Sequence, residues 1–365
     1  MSIWKDELMS SGTQQSESSS RKRVLLFTVM AAFNCAFLMP AISQEETPLT
    51  GNPAQQPAST INRPASAISP VTTMSNEGKE MFTEHRPKLV LALSGGAMKA
   101  VAEIGVLRSL EQHHIKVDGI VGTSMGATIG ALYCAGMSVD DIEKLFLDGS
   151  VHKALLKGTL INMLTKPIAP LKYVFTGRPY YGITKGKAYL KLLESKLPAD
   201  FKQLKIPFAA VATNLTDGQT AVLAKGNLPE SVFASNCFPL FFRPEMIDGK
   251  LYADGGLKAN LPSNIAQSMG AEIVVSVLVD TSIKPVSNNK FKSEKSMVFR
   301  IINMMMASSD KIQTRSSDVL VYPNVDFLPG LEKDPLLLKR AISAGQEAGD
   351  SAASRIANDL LSISE

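Results

Sequence analysis

One serine of the chain lies in a pattern that many hydrolases use for their nucleophile. Residues 122–126 read Gly-Thr-Ser-Met-Gly, which fits GxSxG, and they stand between the apolar segment 119–121 and the helix-favouring segment 127–133. A nucleophile elbow requires this context, because its serine lies at a sharp turn from a strand into a helix and the flanking glycines remove β-carbons that would collide with both elements. The pattern predicts that Ser124 is a nucleophile, with an ordinary tight turn as the alternative.

A serine hydroxyl also needs a base that takes its proton. Histidine is the usual base, but the chain has four histidines and none of them lies after residue 152. In the common hydrolase order, the histidine follows the nucleophile late in the chain. His113 and His114 follow a predicted helix and are expected in a turn on the solvent side, whereas the order of residues alone leaves His152 open.

A carboxylate can replace histidine if partial burial raises its proton affinity. Asp254 is the best candidate, because it follows the short predicted strand Lys250–Ala253 and precedes Gly255 and Gly256. The two glycines would let the backbone approach another segment closely. We therefore predict Asp254 as the base, with an ordinary Asp-Gly turn as the alternative.

The elements that must position these residues alternate between strands and helices. Leu89–Leu93 is apolar throughout, which is typical of a strand buried on both faces of a parallel sheet. Other strand candidates are Ile120–Val121, Phe208–Thr213, Thr220–Leu223, Ile273–Val279 and Asp318–Tyr322, and helix candidates are Ala100–Gln112, Ala127–Tyr133 and Leu336–Leu361. This alternation predicts an α/β fold with a largely parallel sheet in one catalytic domain at residues 86–362.

Several segments together resemble the bacterial patatin-like phospholipases. They are Leu93–Gly96, the GxSxG segment with its helix, Pro207–Thr213, Ala234-Ser235 with Phe238-Pro239, Asp248-Gly249, Asp254–Leu257 and Asn260–Pro262. The resemblance covers residues 88–281 and continues more loosely to the last helix. It implies a three-layer α/β/α sandwich and a dyad that hydrolyses acyl esters of lipids, with Ser124 as nucleophile and Asp254 as base.

The same resemblance implies that a glycine-rich loop, here Gly95-Gly96-Ala97, supplies the oxyanion hole from its backbone amides. The family shows three glycines, a variable residue, a basic residue and a glycine; this chain has alanine at 97 and 100 and Lys99 at the basic position. Alanine at positive φ costs on the order of 1 kcal/mol or more. Loss of one oxyanion donor costs about 100-fold to 1000-fold in rate. The supporting motif residues are Gly122, Gly126, Gly255, Gly256 and Lys99.

Two other functions compete with this hypothesis. A strand, a glycine-rich turn and a helix also describe a dinucleotide site, but Asp118 precedes the second strand instead of ending it and the loop lacks the glycine pattern. We therefore expect no nucleotide partner. The second alternative is a weakly catalytic or non-catalytic patatin-like lipid-binding protein, which the two alanines favour and the presence of both Ser124 and Asp254 disfavours.

Composition limits the cofactors and partners. The chain has 365 residues and a formal net charge of +4, which is mild for this length and gives no reason to expect a nucleic-acid partner. The sequence contains no calcium-loop pattern and no zinc-ligand spacing, and its three cysteines are far apart. We therefore expect no metal and no other cofactor.

The N-terminal 85 residues predict an export signal and a linker. Residues 1–43 combine a polar segment that ends in three basic residues, an apolar run at 24–38 and small residues before Gln44, which predicts a cleaved signal and a periplasmic or outer-membrane location. An inner-membrane anchor formed by residues 24–42 is the alternative, although the run is short for a span of about 20 residues. Residues 44–85 are rich in Pro, Ser, Thr and Gln and predict a disordered linker.

A basic and apolar segment follows the nucleophile helix. Between Asp148 and Glu194 no acidic residue occurs, and the basic residues are Lys153, Lys157, Lys166, Lys172, Arg178, Lys185, Lys187 and Lys191. Mixed basic and apolar side chains suit an anionic lipid surface, where each nearby Lys or Arg contributes roughly 1 kcal/mol. We predict peripheral membrane contact through residues 151–191, with a solvated basic loop as the alternative.

Overall fold

A run of five apolar residues forms the centre of the fold. Leu89–Leu93 is strand β1, and all five residues are buried. The computed structural model describes residues 88–157, 182–279 and 283–363. The predicted export signal at 1–43 and the predicted linker at 44–85 lie outside the described residues and stay predictions.

Nine more strands occur in the described part of the chain. They are β2 Gly119–Thr123, β3 Gly182–Thr184, β4 Phe208–Asn214, β5 Thr220–Leu223, β6 Leu240–Phe242, β7 Glu245–Ile247, β8 Lys250–Asp254, β9 Ile273–Val277 and β10 Val319–Val321. The main sheet has the order β10-β9-β1-β2-β4-β8-β7, and β5 also pairs with β4. Strands β3 and β6 form a small separate pair.

The pairing confirms the predicted, largely parallel sheet. Strands β10, β9, β1, β2 and β4 run parallel to one another. The other edge is antiparallel, because β5 and β8 run against β4 and β7 runs against β8. In register, Thr123 lies opposite Val211 and Asp254 lies opposite Ala212. Strand β4 therefore brings the end of β2 and the end of β8 to neighbouring positions.

Ten α-helices lie in the described ranges. They are α1 Val101–Gln112, α2 Met125–Cys134, α3 Val139–Leu147, α4 Ser150–Leu156, α5 Lys187–Lys196, α6 Leu228–Ser235, α7 Gly256–Ala259, α8 Ser263–Ser268, α9 Glu294–Gln313 and α10 Pro335–Ser362. Short 3₁₀ turns occur at Ala97–Ala100, Phe201–Gln203, Asn288–Phe291 and Thr314–Ser316.

Helices cover both faces of the sheet, as expected for a three-layer α/β/α sandwich. Leu89, Leu91 and Leu93 of β1 point into a large apolar core that includes side chains of α1, α2, α3 and α10. The alternate residues Val90 and Ala92 point into a smaller core with α7 and α8. Both faces of β1 are buried, which explains why its sequence is apolar without alternation.

The sequence predicted most elements near the sheet centre within a few residues. The main difference at the glycine-rich loop is that Ala97–Ala100 is a 3₁₀ turn, and the regular helix starts at Val101. Helix α9, which has 20 residues, was not predicted. No helix of the described ranges is long and apolar enough to span a bilayer.

Glu103 of α1 is a buried acid in the apolar core. It is 0% exposed, and neither carboxyl oxygen has a well-formed hydrogen bond within the described residues. Burial raises the pKa of Glu103 well above its ordinary value, and the nearby Ser94 backbone offsets this only in part. Because the unfolded chain ionises at a pH of about 4.3, ionisation favours unfolding as the pH rises from there toward the folded pKa.

We therefore expect Glu103→Gln to stabilise the protein at alkaline pH but not in acid. The amide matches the neutral acid in shape and removes the cost of ionisation. Thermal unfolding at pH 8 should show a midpoint higher by at least about 3 °C, which corresponds to roughly 1 kcal/mol in a domain of this size. At pH 4 the two midpoints should nearly coincide. An equal effect at both pH values would contradict the assignment of a neutral buried acid.

Candidate active site

Ser124 lies at the turn between β2 and α2 in a strained backbone conformation. Its φ is 53° and its ψ is −121°, a combination that non-glycine residues rarely adopt. Both flanking glycines are required by close contacts: a β-carbon on Gly122 would lie 2.6 Å from Cα of Ala127, and one on Gly126 would lie 2.5 Å from the carbonyl oxygen of Ser94. The predicted elbow is therefore present, and it holds the Ser124 side chain at the end of the sheet.

Asp254 is the hydrogen-bond partner of the serine. The Ser124 hydroxyl donates to Oδ2 of Asp254 at 2.7 Å, although the two residues are 130 positions apart in the chain. Asp254 is the last residue of β8 and is 1% exposed. Its other oxygen, Oδ1, accepts the backbone N–H of Gly256 at 2.8 Å. The structure thus brings together the two residues that the sequence predicted.

The environment of Asp254 makes it a stronger base than an exposed aspartate. Burial raises its pKa to about 6, while the hydrogen bonds from Ser124 and from the Gly256 N–H offset part of this effect. A carboxylate with this pKa is ionised at neutral pH and still binds a proton more readily than an ordinary aspartate. The pair can therefore move a proton from the serine hydroxyl to the carboxylate.

Ser235, the last residue of α6, and Asn236, which follows it, bind the backbone of the elbow. Ser235 accepts the backbone N–H of Ser124 at 2.8 Å and donates its hydroxyl to the carbonyl of Val211 at 2.6 Å. The side-chain amide of Asn236 donates to the carbonyl of Ser124 at 2.9 Å. The sequence signalled this segment only as part of the Ala234-Ser235 motif and suggested no role for it. These bonds satisfy the polar backbone of a strained residue and fix its orientation.

The glycine-rich loop lies beside the serine, but one of its three predicted N–H donors already makes another hydrogen bond. The N–H of Gly95 already donates to the carbonyl of Asn260 at 3.1 Å. Gly95 lies very close to Ser124, since a β-carbon on it would be 3.2 Å from Cβ of the serine. Within the described residues, the N–H groups of Gly96 and Ala97 have no acceptor. Gly96 and Ala97 are therefore the available donors of this loop, and Gly95 secures it.

The two alanines that depart from the family pattern differ in backbone conformation. Ala97 has a φ of 50°, in the left-handed region where a β-carbon is strained. Ala100 has a φ of −61° and a ψ of −14°, which are ordinary helical values. The first substitution therefore places an alanine at a position that favours glycine, whereas the second does not.

A largely apolar cavity of about 320 Å³ surrounds the dyad. Ser124, Asp254, the three loop residues and Lys99 line it. The apolar lining residues are Met125, Leu155, Phe238, Phe241, Phe242, Phe299, Met306 and Leu331. A lining of this type fits a hydrocarbon chain.

The structure assigns other roles to the remaining sequence candidates. His113 is half exposed and lies 3.2 Å from Asp350, His114 is exposed in a turn, and His152 does not line the cavity. Asp118 accepts the backbone N–H of Leu89 at 3.1 Å, which links two strand starts. None of these residues contacts Ser124 or Asp254, so the hydrogen-bond partner of the serine in the described site is a carboxylate.

Comparison with known proteins identifies the central segment. A family model described as patatin-like phospholipase matches residues 91–266. An uncharacterized NTE family protein of Mycobacterium tuberculosis is 30% identical over 199 residues, which are 54% of this chain and 50% of the relative. The human patatin-like phospholipase domain-containing protein 6 is 30% identical over 191 residues, which are 52% of this chain and 13% of the relative. The chain thus spans half or less of the length of these relatives.

Solved structures give a weaker match. VipD from Legionella pneumophila aligns with a TM-score of 0.44 and 18% identity, covering 74% of this chain and 67% of that protein. The type III effector ExoU aligns with a TM-score of 0.33 and 15% identity, covering 74% of this chain and 53% of that protein.

The strained loop yields a direct prediction. We expect Ala97→Gly to raise the free energy of unfolding by roughly 1 kcal/mol, because glycine adopts a positive φ without strain. The measurement is denaturant unfolding of both proteins.

Ala100→Gly is the matched control. It restores the other family glycine at a helical φ, so it should lower the free energy of unfolding by about 0.5 to 1 kcal/mol. If both glycines changed stability in the same direction, strain at Ala97 would not be the cause.

Proposed function

Since the chain belongs to the patatin-like phospholipase family through residues 91–266, we propose that it is a serine hydrolase of membrane lipids. It cleaves acyl ester bonds in the manner of a phospholipase A or lysophospholipase. The observation that carries this proposal is the 2.7 Å hydrogen bond from Ser124 to a buried aspartate inside an apolar cavity. The catalytic domain corresponds to residues 86–362.

In the first step, the Ser124 hydroxyl attacks the ester carbonyl of the lipid. Asp254 takes the hydroxyl proton as the new carbon–oxygen bond forms, and the carbonyl oxygen becomes an oxyanion. Gly96 and Ala97 line the same cavity, and their N–H groups are the proposed donors to that oxygen. The N-terminal end of α2, which begins directly after Ser124, adds a favourable potential for negative charge. Asp254 then returns the proton to the departing alcohol, and an acyl-serine remains.

In the second step, a water molecule replaces the alcohol. Asp254 takes a proton from the water as its oxygen attacks the acyl carbon, and the same loop holds the second oxyanion. The serine oxygen leaves and recovers its proton from Asp254. The products are a fatty acid and the free enzyme, and no metal enters either step.

The cavity suits an acyl chain better than a charged or sugar-like ligand. Among the residues that the structure describes, its phenylalanine, methionine and leucine side chains form a wall with no buried charge apart from the Asp254 carboxylate, and Lys99 is a basic lining residue. Burying a chain here gains about 0.8 kcal/mol for each CH₂ group removed from water.

We also propose that residues 151–191 contact the membrane and that the protein is exported. The ends of this basic segment are helices α4 and α5, and Leu155 of α4 lines the cavity. Residues 158–181 lie outside the described residues. The support for contact is therefore the charge of the segment and its link to the cavity wall, and the support for a periplasmic or outer-membrane location is the N-terminal sequence alone.

A weakly catalytic lipid-binding protein is the second candidate function. The observation that favours it is the positive φ of Ala97, which adds strain to a loop that must present its amides. The two candidates differ in turnover, so an activity measurement separates them.

We expect Ser124→Ala to lower the hydrolysis of a short-chain nitrophenyl ester by at least about 1000-fold, because it removes the nucleophile. Mass spectrometry of lipid products, with the same variant as control, identifies the acyl bond that is cut. Equal ester hydrolysis by the wild type and the variant would exclude the enzyme hypothesis and leave the lipid-binding one.

The pKa of Asp254 predicts the pH profile. A base acts in its ionised form, so kcat/KM for the ester should rise with pH, reach half its plateau near pH 6 and level off above pH 7. Asp254→Asn should remove this limb together with most of the activity.

The matched control for this profile is Asp248→Asn, at an exposed aspartate of the turn before β8. It should keep both the rate and the profile. A profile that is flat from pH 5 to 8 in the wild type would argue against Asp254 as the base.

A further inference from the structure

We propose that helix α9 (Glu294–Gln313) is a membrane-docking helix, whose outer face enters the lipid interface while its inner face forms a wall of the active-site cavity. This inference rests on the proposed function, because it assigns the surface through which a lipid substrate reaches the dyad. It concerns a different segment from the basic residues 151–191.

The outer face of α9 is apolar and exposed. Met297, Ile301, Met304, Met305 and Ile312 are 48 to 64% exposed. Their spacing places all five on one side of a helix with 3.6 residues per turn. A stripe of large apolar side chains over several turns is unusual on a water-facing surface and marks a contact with another apolar phase.

The inner face of the same helix belongs to the active site. Phe299, Asn303 and Met306 line the cavity around Ser124, at the complementary helical spacing. Phe299 also stacks on Phe238, another lining residue, with ring centroids 5.6 Å apart. One helix thickness therefore separates the apolar outer stripe from the space where the acyl chain is cleaved.

The apolar surface continues to the cavity rim. Leu331 lines the cavity and is also 51% exposed, and Phe299 is exposed as well. A hydrocarbon chain that leaves a bilayer beside α9 would therefore pass apolar groups at the rim before it reaches the dyad. This continuity favours a lipid surface over a water-soluble partner as the occupant.

The charges near the stripe also favour a lipid surface. Lys290, Lys292 and Lys311 are exposed, and Arg300 lies on α9 itself. The acidic residue of this helix near its C-terminal end, Asp310, is buried. Basic side chains beside an exposed apolar helix face suit anionic headgroups above a hydrocarbon layer.

A polar clamp holds α9 in place relative to the catalytic loop. Asp310 accepts the side-chain amide of Asn260 and the backbone N–H of Leu261, each at 2.9 Å. The carbonyl of Asn260 in turn accepts the N–H of Gly95 in the glycine-rich loop. Docking of α9 would therefore place the cavity rim at a fixed height relative to the lipid surface, without a rearrangement of the dyad.

The test is vesicle binding by the full chain in a Ser124→Ala background, which prevents lipid turnover. The probe is a vesicle of phosphatidylcholine with an anionic phosphatidylglycerol fraction, and binding is measured by cosedimentation. We expect Ile301→Glu/Met305→Glu to weaken binding at least about tenfold, because two charges must enter the interface. The milder pair Ile301→Ser/Met305→Ser should weaken binding less, and thermal unfolding should show that both variants remain folded.

The matched control is Met246→Glu/Leu361→Glu, at two side chains that are 59% and 65% exposed on β7 and α10. It should bind vesicles like the parent. Equal losses in the control and the α9 variants, or unchanged binding by the α9 variants, would overturn the proposal. So would a dimer in light scattering that the α9 variants split, because the occupant would then be a second copy.

A second arm uses the same substitutions with Ser124 intact. Hydrolysis of vesicle lipid should fall about tenfold or more, while hydrolysis of the soluble nitrophenyl ester should stay within about twofold. A parallel loss of both activities would show that the substitutions damage the site and would overturn the docking role. If the unsubstituted protein hydrolysed neither substrate, the proposed function would fail, whereas the vesicle-binding result would still decide on α9 as a lipid-binding surface.

Discussion

The hydrogen bond between Ser124 and Asp254 is the interaction around which the rest of the fold is arranged. The two residues are 130 positions apart, and they meet because β4 lies between β2 and β8 with Val211 opposite Thr123 and Ala212 opposite Asp254. The elbow follows strand β2 of the parallel part of the sheet, and the aspartate ends strand β8 of the antiparallel edge. Burial raises the pKa of Asp254. This burial comes from the same packing, so the raised pKa depends on both the parallel and the antiparallel part of the sheet.

Two strained backbone conformations occur at this site, and the surrounding structure stabilises them. A positive φ at Ser124 and another at Ala97 both cost free energy, and each lies next to the cavity. Two hydrogen bonds stabilise the strained backbone of Ser124: its N–H donates to the Ser235 hydroxyl, and the Asn236 side-chain amide donates to its carbonyl. At Ala97 the carbonyl of Gly330 accepts the N–H of the next residue, Met98, at 2.9 Å. Packing and hydrogen bonding thus fix conformations that the local sequence alone would not favour.

The sequence predicted the centre of the fold because the relevant signals are local. Strand β1 could be predicted from its apolar run alone, and the elbow could be predicted from the glycines around Ser124. Each of these signals lies within one short segment. The conformations of Ala97 and Ala100 could not be predicted, because both alanines look alike in sequence and differ only in backbone geometry. Helix α9 escaped prediction because its outer face is apolar where a solvent-exposed helix should be polar, so its pattern lacks the usual contrast. The hydrogen bond from the Gly95 N–H to the Asn260 carbonyl could not be predicted either, because it joins two segments that are distant in sequence.

Covalent trapping of the nucleophile tests whether Asp254 activates Ser124. An alkyl fluorophosphonate reacts with an activated serine, whose oxygen displaces fluoride and gains a phosphonyl group. We expect intact-protein mass spectrometry to show one added group, peptide mapping to place it on Ser124, and Asp254→Asn to slow the labelling strongly. Labelling at another residue, or unchanged labelling of Asp254→Asn, would contradict this assignment of the dyad.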